Sequence, residues 1–303
     1  MSDRPNLLMI SVDDLRPLLH CHGHAEMHTP AMDRLAETGL RFDKAYCQVP
    51  VCGASRASLL TGIRPTPQRF LGHDTRADED APGVTTLIEH LRDHGYTTVG
   101  NHKVFHHAND RARAWSRYNG GLGQFPGPYH SESAKRIARE GQRLPHTIGR
   151  AKPKRGPASE CAEIPDTAQP DGWTAEWALQ QCEALALADE PFALCYGSVT
   201  VHLPFKAPKR YWDLYDRDAL PLPDHRNQPT DVPPAMLHGY GELRNYGDIP
   251  DEGPMDDATA RRLVHGYRAG VSYLDAQIGR VLDGLDELDL TDNTGVVLWA
   301  DHG

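Results

Sequence analysis

The sequence predicts an α/β protein whose central sheet is mostly parallel and is flanked by helices on both faces. Three continuous apolar runs, at 6–12, 191–199 and 295–300, are typical of strands buried on both faces of such a sheet. An amphipathic helical pattern at 85–94 ends at Gly95, and a strand pattern follows at 96–100. This alternation of helix and strand favours a doubly wound sheet.

The remaining elements follow from local signals. Thr29 and Pro30 predict the start of a helix that ends at Gly39, and segment 40–47 has the pattern of a strand. Helices are also predicted at 173–188 and 256–288, the latter from apolar residues at helical spacing.

The stretch from about 109 to 171 is rich in Gly, Pro, Arg and Lys and shows little periodicity, which predicts a long insertion over the carboxyl edge of the sheet. We expect the chain to form one domain over 1–303 that includes this insertion. Its basic piece, 150–155, has two readings: contact with a polyanionic substrate, or a solvated loop.

Composition excludes several classes of protein. The formal net charge of -10 argues against a general nucleic-acid binder. No run of about 18 apolar residues exists, so no membrane span is expected. The N-terminus lacks the basic and apolar regions of a signal peptide, so a cytoplasmic location is expected, with a trimmed secreted form as the alternative. The six cysteines are irregularly spaced, without CxxC, which argues against a zinc ribbon.

One cysteine lies where chemistry is expected. Pro50 and Gly53 interrupt the chain around Cys52, and residues 55–60 can form a helix, so Cys52 is predicted at a loop-to-helix junction. Free amide donors and the dipole at a helix N-terminus favour negative charge. The position therefore predicts a lowered thiol pKa and a reactive side chain, against the alternative of a buried structural cysteine.

Polar residues follow the predicted strands. Asp13 and Asp14 come directly after the first strand, where two adjacent carboxylates are costly unless they form ion pairs or bind a cation. The alternative is a solvated loop with a helix-capping Asp. Neighbouring residues of a strand point to opposite faces, so Asp13 and Asp14 can contact one ion only if the strand has already turned. Pro17 favours such a turn. Because the carboxyl ends of parallel strands form the binding crevice, the polar residues there are expected to converge. They are Asp13, Asp14, Cys52, Lys103, His202, Asp301 and His302.

These segments resemble a known family. Residues 52–56 (CGASR), followed by 59–62 (LLTG), resemble the signature of the type I sulfatases of the alkaline phosphatase superfamily, with Ala54 where proline is usual. The Asp-Asp pair, 29–36 (TPAMDRLA), 272–279 (SYLDAQIG) and 301–303 (DHG) are also similar to the family and occur in the same order. The Lys-x-x-His form of Lys103 and His106 is closest to iduronate-2-sulfatase-like members, and His202 matches the second histidine of a His-x-Pro-His-x-Pro-Phe motif.

The resemblance implies an alkaline-phosphatase-like fold and the hydrolysis of a sulfate ester, with a small sulfated carbohydrate as the expected substrate. A formylglycine-generating enzyme, as a transient partner, would oxidise Cys52 to formylglycine. A hydroxyl of the hydrated formylglycine would then attack the sulfur atom of the sulfate ester. The implied catalytic residues are Cys52, Arg56, Lys103, His106 and His202. The implied metal ligands are Asp13, Asp14, Cys52, Asp301 and His302, with Ca²⁺ expected and Mg²⁺ or Mn²⁺ as alternatives.

Two other readings remain. A phosphate or phosphonate ester hydrolase of the same superfamily shares the metal and the modified cysteine. The chain ends at Gly303, directly after the metal motif, so the C-terminal subdomain of the family is expected to be absent. An inactive, truncated sulfatase-like protein is therefore the second alternative.

Overall fold

The structure, a computed structural model, describes residues 4–120, 127–142, 154–188, 190–225 and 227–303. In these ranges the strands are β1 (Asn6–Val12), β2 (Thr97–His102), β3 (Arg117–Asn119), β4 (Ser159–Ala162), β5 (Phe192–Gly197), β6 (Phe205–Pro208) and β7 (Thr294–Ala300). The α-helices are α1 (Pro30–Thr38), α2 (Cys52–Thr61), α3 (Ala77–Asp80), α4 (Leu87–Asp93), α5 (Glu132–Gly141), α6 (Pro170–Ala186), α7 (Lys209–Trp212) and α8 (Asp257–Glu287). No helix among the described residues is both long and apolar enough to cross a membrane.

The chain divides into two compact units. The first consists of Met1–Gly127, Asp166–His202 and Val271–Gly303, and the second of Pro128–Pro165 and Leu203–Gly270. The first unit contains the larger sheet and all of the predicted site residues, whereas the second contains the parallel pair β4–β6. The prediction of one domain over 1–303, with an insertion at about 109–171, stays a prediction.

The larger sheet is parallel throughout, in the order β3-β2-β5-β1-β7. The apolar run of β1 lies between two neighbours, with Met9 paired to Cys195 of β5 and to Val297 of β7. Met9 and Ile10, which point to opposite faces of the sheet, are both buried, as expected for a strand covered on both faces. The predicted α/β fold with a mostly parallel sheet flanked by helices is confirmed.

The local signals at the helices are also confirmed. Helix α1 begins at Pro30 and gives way to Gly39, and α8 runs over nearly all of the predicted range. Thr86 and Glu89 form a capping box at the start of α4, in which each side chain accepts a hydrogen bond from the other residue's backbone N–H.

The strand predicted at 40–47 is wrong. This segment forms no strand, and Leu40, Phe42 and Tyr46 are 79%, 71% and 82% exposed. A strand needs a neighbour that completes its hydrogen-bond ladder, and among the described residues no other strand pairs with this segment. Its apolar pattern therefore lacks the tertiary partner that would make it a strand.

Residues 150–153 of the predicted basic piece lie outside the described residues. Lys154 and Arg155 are described, and they pair with Asp251 and Glu242 of the same unit. In this structure these two cations contact carboxylates of the chain itself.

A glycine lets β2 and β5 approach each other closely where they end. A Cβ atom on Gly197 would lie 2.5 Å from the backbone carbon of Lys103 and 2.6 Å from its backbone nitrogen. Since Gly197 is the last residue of β5, any side chain there would push away the strand end that carries Lys103.

We expect Gly197→Ala to lower the free energy of unfolding by about 1–3 kcal/mol, the usual cost of overpacking. Chemical denaturation would measure the change. Gly239→Ala is the matched control, because a Cβ at Gly239 would meet no atom within 4 Å. Equal stability of the two variants would show that the close approach is not a constraint.

Candidate active site

Four neighbouring strands of the large sheet end at the same edge and deliver polar residues there. In the order of the sheet, Lys103 follows β2, His202 lies in the loop after β5, Asp13 follows β1 and Asp301 follows β7. Ligand atoms of Asp13, Cys52, Asp301 and His302 all lie within 4.8 Å of one another, and those of Asp13, Asp14 and His202 form a second such group. The predicted convergence of these residues therefore occurs.

A left-handed backbone conformation brings the two adjacent aspartates to one place. Asp14 has a φ of 55°, so the chain turns directly after β1 and before Pro17. Aspartate is one of the few residues that adopt this conformation without a large penalty. The backbone N–H of Asp14 donates to Oδ1 of Asp301 at 3.2 Å, which fixes the turn against the end of β7.

Arg56 joins the two buried aspartates. Its Nε lies 2.8 Å from Oδ2 of Asp301, and its Nη2 lies 3.3 Å from Oδ1 of Asp13. The Nη1 group donates to Ser11 Oγ at 2.8 Å, to the backbone oxygen of Val104 at 3.1 Å and to that of Lys103. The guanidinium is buried and surrounded by acceptors, so in this structure Arg56 holds the carboxylates in place.

Lys103 provides a second cation for Asp13. Its Nζ forms an ion pair with Oδ2 of Asp13, while Arg56 contacts the other carboxylate oxygen. Burial alone would raise the pKa of Asp13, but the charges of Lys103, Arg56 and His202 hold it well below its usual range. Burial would lower the pKa of Lys103, yet the charge of Asp13 raises it, so Lys103 stays protonated at neutral pH.

Cys52 is the first residue of α2, as its predicted loop-to-helix position required, but the predicted lowering of its thiol pKa is wrong. Burial raises the pKa of Cys52, because desolvation disfavours the thiolate, and the hydrogen bond to His302 offsets only part of this effect. The side chain is only 8% exposed. The unmodified thiol is therefore a poor nucleophile in this site.

His302 connects Cys52 to Asp14. Its Nε2 lies 3.1 Å from Cys52 Sγ, and its Nδ1 lies 3.0 Å from Asp14 Oδ1. Burial would lower the pKa of His302, but the hydrogen bonds to Asp14 and Cys52 and the nearby carboxylates raise it to about 11. The site thus balances three carboxylates with Arg56, Lys103 and protonated His302.

The two other predicted histidines differ in their contacts with the cluster. His202 Nε2 lies 3.9 Å from Asp14 Oδ2. Neither candidate metal group among the described residues includes His106, whose buried Nδ1 has no hydrogen-bond partner. Burial, helped by the charge of Lys103, lowers the pKa of His106 to about 3, so its ring is neutral at neutral pH.

The donor set fits a hard divalent cation. Carboxylate oxygens are the ligands that Ca²⁺ and Mg²⁺ prefer. Asp13 belongs to both groups of converging ligand atoms, with Asp301 in one and with Asp14 in the other. The sulfur of Cys52 fits such a cation poorly, because thiolates favour soft metals. Conversion of Cys52 to formylglycine would supply an oxygen instead, and His302 would then be the one member of that group with a nitrogen donor.

The comparisons with known proteins agree with this geometry. The sequence model of the family described as Sulfatase matches residues 5–303. The chain belongs to the sulfatase family. It is 32% identical to human iduronate 2-sulfatase over 324 residues, an alignment that covers 100% of this sulfatase-family chain and 55% of the human protein.

Solved structures show the same fold. The phosphonate monoester hydrolase of Agrobacterium radiobacter has a TM-score of 0.70 at 20% identity, over 99% of this chain and 63% of its own. A protein solved in complex with its substrate, D-glucosamine-2-N,6-O-disulfate, has a TM-score of 0.65 at 19% identity, over 99% and 65%. At these identities the likeness concerns the fold alone. The chain spans about half the length of the curated relative named above.

Three residues of the site were not predicted. Ser11 accepts a hydrogen bond from Arg56, and Ser55 Oγ donates to the backbone oxygen of Asp301 at 2.5 Å. Asp171 accepts hydrogen bonds from the backbone of the loop that carries His202. The pair Pro170-Asp171 signals a helix start, but nothing local indicates its tertiary contact.

We expect Arg56→Lys to lower the free energy of unfolding by about 3–5 kcal/mol, because one ammonium cannot bridge two carboxylates and leaves a buried charge unpaired. Arg34→Lys is the matched control: Arg34 pairs with Asp283 at the surface, where a pair contributes about 0–1 kcal/mol. Denaturant titration measures both. A loss at Arg56 no larger than that at Arg34 would contradict this description of the cluster.

Proposed function

We propose that this chain carries the catalytic site of a hydrolase for sulfate esters of carbohydrates. In this proposal Cys52 is the precursor of formylglycine and the carboxylates hold a divalent cation, with Ca²⁺ preferred. The observation that carries the proposal is the convergence of Asp13, Asp301 and His302 on Cys52 at the start of α2. Membership of the sulfatase family supports the reaction class.

The raised thiol pKa supports the role of Cys52 as a precursor. Burial and the nearby carboxylates of Asp13 and Asp301 disfavour the thiolate form of Cys52, so its sulfur is a poor nucleophile. Formylglycine, once hydrated, supplies an oxygen nucleophile. A bound divalent cation would polarise that oxygen and neutralise charge on the sulfate group.

The surrounding residues then have separate tasks. Lys103, which stays protonated, donates to a sulfate oxygen and stabilises the charge that develops during transfer. Arg56 fixes Asp13 and Asp301, so that the ligand geometry is formed before substrate binds. His202, whose Nε2 lies near Asp14, is the proposed proton donor to the leaving oxygen. His106, neutral at neutral pH, is assigned to orienting the substrate by hydrogen bonding.

Two comparisons support a sulfated sugar as substrate class. One relative is named iduronate 2-sulfatase, and one structural neighbour was solved with a glucosamine disulfate as its substrate. The phosphonate monoester hydrolase has a similar fold, so phosphonate esters form the alternative that the assay must separate.

Production of the chain together with a formylglycine-generating enzyme tests the proposal. Mass spectrometry of the tryptic peptide 45–56 should show the CH2–SH group of Cys52 converted to the CHO group of formylglycine, with loss of the sulfur and two hydrogens and gain of one oxygen. The modified protein should then hydrolyse 4-nitrophenyl sulfate faster than phenyl phosphonate esters. It should also release sulfate from glucosamine 6-sulfate, which tests a sulfated sugar as substrate. We expect the rate to fall by at least about 10³-fold in Cys52→Ala, which removes the nucleophile.

Cys47→Ala is the matched control, because Cys47 is exposed and lies in the same tryptic peptide. Modification of Cys52 without sulfate release, or an equal preference for phosphonates, would overturn the sulfatase assignment. A thiol at position 52 that resists modification would overturn the role of Cys52 itself.

Cation binding gives an independent prediction. Ca²⁺ at about 100 times its dissociation constant should stabilise the protein by about 2.7 kcal/mol, measured as a rise in Tm that EDTA reverses. Asp14→Asn should reduce this rise, because it removes one charged ligand. Asp283→Asn, at an exposed pair with Arg34, should leave the rise unchanged. An undiminished rise in Asp14→Asn would exclude Asp14 as a ligand.

A further inference from the structure

The loop after β5 carries His202 but has no regular secondary structure. Strand β5 ends at Gly197, and His202 reaches Asp14 from this loop at an Nε2–Oδ2 distance of 3.9 Å. The position of the imidazole therefore depends on what holds the backbone of residues 198–202.

A buried carboxylate holds one side of this loop. Oδ1 of Asp171 accepts the backbone N–H of Val199 at 3.0 Å, and Oδ2 accepts that of Thr200 at 2.9 Å. Asp171 is the second residue of α6 and is completely buried. Hydrogen bonds to a carboxylate are roughly twice as strong as those between neutral groups.

The other side of the loop is held by the residue that follows β1 and by a hydrogen bond within the loop. The N–H of Val201 donates to the backbone oxygen of Asp13 at 3.1 Å, and the N–H of His202 donates to the backbone oxygen of Val199 at 2.9 Å. Val199 and Thr200 are thus bonded to α6 through Asp171, and Val201 is bonded to the backbone of Asp13. The two attachments fix His202 relative to Asp13 and Asp14.

We propose that Asp171 is a positioning residue that places His202 for proton donation to the leaving group. This inference rests on the proposed function of His202 as proton donor. Asparagine at position 171 offers a single acceptor oxygen, and its NH₂ group would face one of the two backbone N–H donors. One loop hydrogen bond would then be lost while the side-chain volume stays the same.

Asp275 provides a matched control within the same unit. Its carboxylate is also buried and accepts two backbone N–H groups, those of Ala31 at 3.0 Å and Met32 at 2.8 Å. These amides belong to the start of α1, which carries no candidate site residue. Asp275→Asn thus makes the same chemical change away from His202.

The kinetic test uses formylglycine-bearing protein and a series of phenyl sulfates with increasing phenol pKa. Asp171→Asn should lower kcat about 10–100-fold for the poorest leaving groups, and much less for 4-nitrophenyl sulfate, which needs little protonation. In the His202→Ala background, Asp171→Asn should change kcat less than about 2-fold, because Asp171 acts through His202. Asp275→Asn should show no dependence on the leaving group.

Hydrogen exchange followed by mass spectrometry tests the placement without relying on activity. Asp171→Asn should increase exchange in peptides that contain residues 198–202, whereas Asp275→Asn should increase it near residues 31 and 32. Unchanged exchange of the loop in Asp171→Asn would overturn the proposal, as would equal kinetic effects in the presence and absence of His202. Inactive wild-type protein with the expected exchange pattern would instead count against the proposed function.

Discussion

The interaction on which the site depends is the bridge from Arg56 to Asp13 and Asp301. All three side chains are almost fully buried, so each charge depends on its partners, and Lys103 is a second partner of Asp13. Arg56 lies on α2, one turn after Cys52, while the two aspartates directly follow two adjacent strands. The same bridge therefore fixes the start of α2, and with it residue 52, against the carboxylates.

The parallel strands bring residues that are far apart in the sequence together at one edge of the sheet. Because β2, β5, β1 and β7 are neighbours that run in one direction, their carboxyl ends bring residues nearly 290 positions apart, such as Asp14 and Asp301, into hydrogen-bond contact. Gly197 permits the close approach of the strand end that carries Lys103. The left-handed turn at Asp14 presents two consecutive carboxylates to one place. The convergence of candidate metal ligands and the charge balance are thus consequences of the fold.

The sequence predicts these strand ends well, because buried strands and the polar residues after them are local patterns. It fails where the outcome depends on distant groups. Segment 40–47 has a strand pattern but no strand beside it, and the thiol of Cys52 lies at a helix start, yet burial raises its pKa. The local pattern at Asp171 predicts a helix start, but it does not predict that the Asp171 carboxylate accepts hydrogen bonds from the loop that carries His202. Desolvation and tertiary partners are not encoded in a short window of residues.

The proposed function requires that the carboxylates at the strand ends hold a divalent cation against an oxygen at position 52. The most direct measurement is a crystal structure of the formylglycine-bearing chain soaked in Mn²⁺, with anomalous scattering used to locate the metal. We expect one strong peak within about 2.5 Å of oxygens of Asp13, Asp14 and Asp301 and of residue 52. A structure without a peak there, in which Lys103 and His302 still contact the carboxylates, would contradict the proposed cation site.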